Sequence, residues 1–344
     1  MAFSRKKAIM RATVSQIAHE AGVSPATVDR VLNDRDGVRA RTRELVLLAA
    51  RQLGYFGPVN TETTIRPVRM DFVLPAGSNS FMRTLKSFLL DESRARDGVT
   101  AHIHEIEGFD PERLSSRLMD LRGQTDAVGV VALDHPQVRE AINDLVKSGV
   151  HVGTLVSDIP AVDKVGYVGV DNRAAGRLAG FLMGRFLPSG EHKVAVFIGS
   201  PAYRGHEERE MGFRSILSGE FPNMQIAGTA EISDDRDRAY SETMRFIDRG
   251  YIAAIYNIGS GNQGIARALR ETNVARDIIF IGHDLTDATR LMLLDRTMDA
   301  VIDQNPRVEA REIVRLLVSS VRGATEPEYL PRLQVVFREN IPVQ

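Results

Sequence analysis

From residue 69 onward one pattern repeats: a short apolar run, an amphipathic stretch of about 12–18 residues, then another apolar run. Eleven runs have strand character: 70–74, 100–105, 127–131, 150–155, 167–170, 193–198, 225–231, 253–257, 278–281, 300–302 and 333–337. Alternating strands and helices build parallel sheets covered by helices on both faces. Eleven strands over about 276 residues fit two sheets in two lobes better than one. The expected class is α/β.

Composition permits such cores, with 43% hydrophobic and 26% charged residues. No apolar run reaches the ~18 residues of a membrane helix. The opening MAFSRKKAIMRATVSQ has no apolar stretch behind its basic residues, so no secretory signal is expected. The chain has no cysteine, which excludes disulfides, thiolate metal sites and a cysteine nucleophile. A cytoplasmic protein without membrane association is the expectation. The net charge of −1 hides an asymmetry: residues 1–66 hold 11 Lys+Arg against 6 Asp+Glu, and the remainder 33 against 39. A basic head on an acidic body suggests a polyanionic partner, although charge alone leaves a chance fluctuation open.

The head reads as three helices. Thr13 with Gln16 makes a capping-box pattern before apolar Val14, Ile17, Ala18 and Ala21. Ser24-Pro25 opens a second helix carrying Ala26, Val28, Val31 and Leu32. After a turn with Asp34, Asp36 and Gly37, a third helix runs from about 41 to 53, with Leu45, Leu48, Ala49 and Leu53 expected inward. Two short helices joined by Gly22-Val23-Ser24 match helix-turn-helix geometry. On this pattern alone a generic three-helix bundle stays open.

The stretch TVSQIAHEAGVSPATVDRVLNDRDGVRARTRELVLLAARQLGY, 13–55, resembles the DNA-binding head of lac-repressor-like (LacI-type) transcription factors. The specific features are AGVSxxTVxRVLN, the later GV-x-x-x-TR and the terminal LGY. The resemblance puts Pro25, Ala26 and Arg30 at base-reading positions, with Arg30 suited to guanine O6 and N7. It puts Thr13, Ser24, Thr27 and Asn33 at phosphate-contact positions. Asp29 stands where the family usually has serine; it is suited to hold Arg30 or to accept from cytosine N4, and altered operator preference is expected. The linker, 57–68, contains prolines but lacks the Ala-Arg-x-x-Leu-like pattern with which this family kinks DNA. With only Ile65 comparable, weaker operator bending is expected; a linker that folds only on DNA is the other reading.

The body resembles the periplasmic sugar-binding-protein fold that these regulators share, the ribose-binding type above all. The landmarks are GVDNRAAGRLAGFL (169–182), EEREMGF (207–213), FIGHDLT (280–286) and AVIDQNPRVEA (300–310). The resemblance implies a head at 1–56 and a two-lobe effector domain at 69–344. Lobe 1 is about 69–171 with 305–325, and lobe 2 about 172–304 with 326–344, with crossings near Asp171, Gln304 and Thr325. It implies a ligand cleft at the strand ends, with Asn79, Phe81, Arg209, Asn257, Asp284 and Gln304 in it. Where the family has an aspartate-arginine pair after the fourth strand, this chain reads LVSDIP, leaving Ser157 and Asp158 as loose substitutes and ribose unassured. Amide, carboxylate and guanidinium groups suit vicinal hydroxyls. Arg209 and Asp284 are suited to satisfy each other in an empty cleft. Asp284 also has the alternative of capping the helix that starts at LTDATR.

Other motifs carry less. GSGNQG (259–264) matches the dinucleotide pattern G-x-G-x-x-G, with Asp284 20 residues on, but lies late in the chain, outside an opening βαβ unit. His102 and His104 share a strand face without a third ligand, and His206-Glu207-Glu208 lacks the two-histidine zinc-protease spacing. No metal, cofactor or catalytic residue is expected. The reading is a homodimeric transcriptional regulator, a repressor by preference, that binds double-stranded operator DNA under control of a sugar or polyol. A sugar transporter's solute-binding protein is the alternative.

Overall fold

The computed structural model describes residues 12–342 apart from 34, 36, 54, 56–65, 78, 109, 251 and 326–328. It divides into two units, 1–65 and 66–344. The linker reading, Ile65 included, falls almost wholly outside the described residues.

The first unit holds α1 (Val14–Glu20), α2 (Pro25–Leu32) and α3 (Ala40–Gln52). Thr13 caps α1 in a full capping box with Gln16, and Ser24 caps α2 by accepting from Thr27 N. Ile17, Ala18, Val28 and Val31 close on Val46, Ala49 and Ala50 of α3. The inward stripe of α3 therefore differs from the expected one. Ala49 is buried as expected, but Leu45, Leu48 and Leu53 are exposed, and Val46 and Ala50 take their place facing α1 and α2.

The second unit carries all eleven expected strands. In lobe 1, β1 (Val68–Pro75), α4 (Ser80–Arg94), β2 (Val99–Ile106), α5 (Pro111–Asp120), β3 (Ala127–Val130), α6 (Pro136–Lys147), β4 (His151–Leu155) and β5 (Gly166–Val168) follow in order. Lobe 2 then runs α7 (Asn172–Phe186), β6 (His192–Ile198), α8 (Arg204–Glu220), β7 (Met224–Glu231), α9 (Arg236–Asp248), β8 (Ala254–Asn257), α10 (Asn262–Glu271), β9 (Ile279–His283), α11 (Asp287–Leu294) and β10 (Ala300–Asp303). After β10 the chain returns α12 (Pro306–Val321) to the lobe 1 core, where Ala310, Ile313, Val314 and Leu317 pack. It then sends β11 (Gln334–Val336) back to lobe 2.

The sheets are ordered β2-β1-β3-β4-β5 and β11-β10-β9-β8-β6-β7. Pairing is parallel except for β11, which runs antiparallel to β10 because it re-enters from the other lobe. Each sheet reverses its strand order once, between β1 and β3 and between β6 and β8. Such switch points leave a crevice at the strands' carboxyl ends, where α/β folds place ligands.

One helix pair fixes the geometry of that crevice. α7 and α8 approach through Gly176 and Gly212: a Cβ on Gly176 would stand 1.8 Å from Arg209 O, and one on Gly212 2.0 Å from Arg173 O. Backbone cannot yield as a side chain can. Gly176→Ala is therefore expected to cost more than the ~1–3 kcal/mol of ordinary overpacking. Gly180→Ala, whose Cβ would meet only Ile216, Leu217 and Phe213 side chains, should cost less. Urea midpoints of the two variants test this; equal midpoints would contradict it.

Candidate functional site

A cavity of about 240 Å³ opens between the lobes. Segments that follow the strands' carboxyl ends wall it, among them Asn79 after β1, Ser157 after β4, His206 after β6, Asp234 after β7, Ser260 after β8, Asp284 after β9 and Gln304 after β10. The lobes also touch at its rim, where Asp134 N donates to Ala202 O at 3.0 Å and Gly205 N to Ser157 Oγ at 3.5 Å. Backbone strain gathers here. Of eight non-glycine residues at positive φ among the described ones, Val156, Ser233, Asp234 and Asp284 line the cavity, and Asn305 follows Gln304. A β-branched residue at φ 64°, as at Val156, is costly and persists only where surrounding structure imposes it.

Arg209 is the cavity's organiser. It is nearly buried, 4% exposed, on the helix that Gly176 and Gly212 draw close. Its Nε donates to Asn172 Oδ1 (2.7 Å), Nη1 to Ile258 O (2.9 Å) and Nη2 to Gln304 Oε1 (3.3 Å). Gln304 Nε2 then donates to Asp284 Oδ1 at 2.8 Å. Arg209 and Asp284 thus communicate through Gln304 rather than pairing directly, as the sequence suggested. Asp284 does not cap α11 either, since Thr286 does. Burial pushes the Asp284 carboxyl up to about 7; Arg209 and the Gln304 hydrogen bond pull it down, and Asp303 and Asp234 push it up.

Burial likewise lowers the pKa of the His206 ring, and Ser200 N lies 3.1 Å from its Nδ1. Behind the wall Glu309, on the first turn of α12, is fully buried with neither carboxyl oxygen hydrogen-bonded. Burial holds it well above the usual carboxylate range, Asp284 and Asp303 add to that, and Arg209 opposes it.

Of the expected cleft residues, Asn79, Phe81, Ser157, Arg209, Asp284 and Gln304 line the cavity. Asn79 also caps α4, its Oδ1 accepting from Phe81 N and Met82 N. Asp158 and Asn257 do not line it. Asp158 Oδ1 is taken by Thr154 Oγ1 and Lys164 Nζ, both at 2.6 Å, and Asn257 Nδ2 by Asn262 Oδ1 at 2.7 Å and two backbone carbonyls. Sequence reasoning missed Asn172, His206, Asp234 and Glu309. Asp234, just past the end of β7, was open to the strand-end rule; nothing local marks Glu309.

The glycines of GSGNQG have structural duties. Gly261 takes φ 98° at the start of α10, and a Cβ on Gly264 would stand 1.9 Å from Arg236 O of α9. These contacts account for the pattern without a dinucleotide.

In the first unit Thr13, Ser24 and Thr27 sit at the amino ends of α1 and α2, where backbone N–H groups favour phosphate. Pro25, Ala26 and Arg30 of α2 are exposed. Asp29 does not hold Arg30. Its Oδ1 accepts from Asn33 Nδ2 (2.8 Å) and its Oδ2 lies 3.2 Å from Arg35 Nη1.

Comparison with known proteins agrees with both parts. Residues 70–325 match the family described as periplasmic binding protein domain, and residues 13–57 the bacterial regulatory proteins of the lacI family. The HTH-type transcriptional regulator CelR of Thermobifida fusca is 27% identical over 333 residues, 92% of this chain and 94% of that protein. The ribose operon repressor of Bacillus subtilis is 27% identical over 283 residues, 79% of this chain and 81% of that one. Among solved structures, GanP, a glucose-galactose binding protein from Geobacillus stearothermophilus, superposes with a TM-score of 0.72 at 21% identity, covering 80% of this chain and 99% of that one, which shows the fold.

Proposed function

The chain belongs to the lacI family of bacterial regulatory proteins, with a periplasmic binding protein domain as its body, and from that premise we propose a cytoplasmic homodimeric repressor released by a neutral monosaccharide or polyol. The carrying observation is the inter-lobe cavity of about 240 Å³, lined by both polar and apolar groups, in a chain that also has a DNA-reading head. This is room for several waters, the scale of one sugar ring. The head favours this reading over a transporter's solute-binding protein. Family and fold likewise speak for binding, not catalysis.

Effector contacts are assigned to Asn79, Ser157, Arg209, Asp234, Asp284 and Gln304, with Phe81 as apolar wall. Two copies present two heads to a pseudo-palindromic operator, with Pro25, Ala26 and Arg30 on base edges and Thr13, Ser24 and Thr27 on phosphates. Ligand closes the lobes and changes DNA affinity, and linkage requires the operator to change effector affinity by the same factor. Arg66 is suited to carry the signal. It follows the linker and donates to Val321 O, at the far end of the helix that starts beside the cleft.

The cavity's charge narrows the ligand class. Among the described lining residues Arg209 is the only lysine or arginine, and three of its five N–H groups are spent on protein. Asp234, Asp235 and Asp284 face it. A thermal-shift screen at pH 8, above the Asp284 titration near 7, should therefore find neutral sugars or polyols and not their phosphates. A ligand at a hundredfold excess over Kd stabilises by about 2.7 kcal/mol. The hit should vanish in Asp284→Ala and Gln304→Ala. A phosphorylated sugar as sole hit would refute the class.

A further inference from the structure

Behind the recognition helix α2, three side chains close into a unit that the resemblance did not anticipate. Asn33 Nδ2 has two hydrogens, and Asp29 takes both, one at its carbonyl oxygen (3.0 Å) and one at Oδ1 (2.8 Å). An amide so engaged has only its carbonyl oxygen left, and a carbonyl cannot bind a phosphate. The other Asp29 oxygen lies 3.2 Å from Arg35 Nη1. Arg35 is itself clamped along its backbone, its N donating to Arg30 O (2.8 Å) and its O accepting from Arg43 Nη2 (3.1 Å). Its side chain stays 65% exposed. With one of five N–H groups on Asp29, the exposed fork has others to offer. The Arg30 guanidinium reaches the same turn: its Nη1 lies 3.9 Å from where a Cβ on Gly37 would stand. An isolated carboxylate on this helix would repel DNA; paired to Arg35 it becomes the anchor of a cation.

We propose that Arg35, anchored by Asp29, makes a DNA-phosphate contact at the carboxyl end of the recognition helix, and that Asn33 makes none. The proposal rests on the head binding DNA. It names a backbone contact, so it is testable without knowing the operator. The probe is a 30-base-pair duplex of mixed sequence, bound to the full chain from 50 to 200 mM salt and read by fluorescence anisotropy. Each phosphate neutralised adds about 0.9 to the slope of log K against log salt. Arg35→Ala should lower that slope by about 0.9, so that the fall in affinity over this fourfold range of salt shrinks about 3.5-fold. Arg35→Lys should keep the slope, as a charge contact does and a structural role does not. Asn33→Ala should leave the affinity at 50 mM salt unchanged, because a neutral amide contact to phosphate shows in affinity and not in slope. An unchanged slope in Arg35→Ala, or a weaker affinity at unchanged slope in Asn33→Ala, overturns the proposal while leaving DNA binding intact. Wild-type protein that fails to bind the duplex at 50 mM salt overturns both.

Discussion

Arg209→Ala should abolish the response to effector and destabilise the two-lobe body by about 1–3 kcal/mol, the usual cost of leaving buried hydrogen-bond acceptors unpaired. The guanidinium is 4% exposed and holds three elements together: Asn172 on α7, the Ile258 carbonyl after β8, and Gln304 where the chain crosses back to lobe 1. Removing it leaves those acceptors without their protein donor. It also removes the positive charge that opposes the upward shifts of Asp284 and Glu309. Arg209→Lys should recover little, because an ammonium cannot span three acceptors in one plane. Chemical denaturation gives the stability term, and calorimetric titration with the screened ligand gives the binding term. Loss of binding with unchanged stability would mean that the hydrogen-bond geometry is not maintained in solution.

Much of this was legible in the sequence, and the reasons differ by element. The strands were readable because apolar runs bounded by turn residues report burial directly; even β5, three residues long, was visible. The direction of β11 was not, since pairing direction depends on which lobe the chain returns from. On α3 two apolar stripes compete. The sequence favours the leucines by size, whereas helix packing selected Val46, Ala49 and Ala50. At the cleft, motif positions led to Arg209, Asp284 and Gln304, all on the cavity wall. Asp158 and Asn257 were indistinguishable from ligand contacts in sequence because the partners that occupy them, Lys164 and Asn262, lie six and five residues away. The Gln304 bridge joins residues 95 and 20 positions apart, which no local pattern reports.

Glu309 should behave in the opposite sense to Arg209: Glu309→Met is expected to stabilise the body, by about 1–3 kcal/mol at neutral pH. Its carboxyl is fully buried and neither oxygen has a hydrogen bond. Its place on the first turn of α12 earns at most about 1 kcal/mol from the helix dipole, less than the desolvation it opposes. The pH dependence follows from the direction of its shift. Between the usual value of 4.5 and its raised folded value, the native state holds a proton that the unfolded chain has released. Stability contributed by this group is therefore fully present below about 4.5 and is lost as pH rises through that window. Asp284, pushed up to about 7, adds a slope of the same sign from its usual 3.8. Wild-type melting temperatures should fall from pH 5 to pH 8, and the gain from Glu309→Met should widen over the same range, each kcal/mol raising Tm by roughly 2–4 °C. A variant less stable than wild type at every pH would show that Glu309 has a partner in solution. Glu309 lies close enough to Arg209 and Asp284 to interact electrostatically with both. Its removal should therefore alter the effector's Kd as well as the melting curve, the trade expected of a group placed for binding.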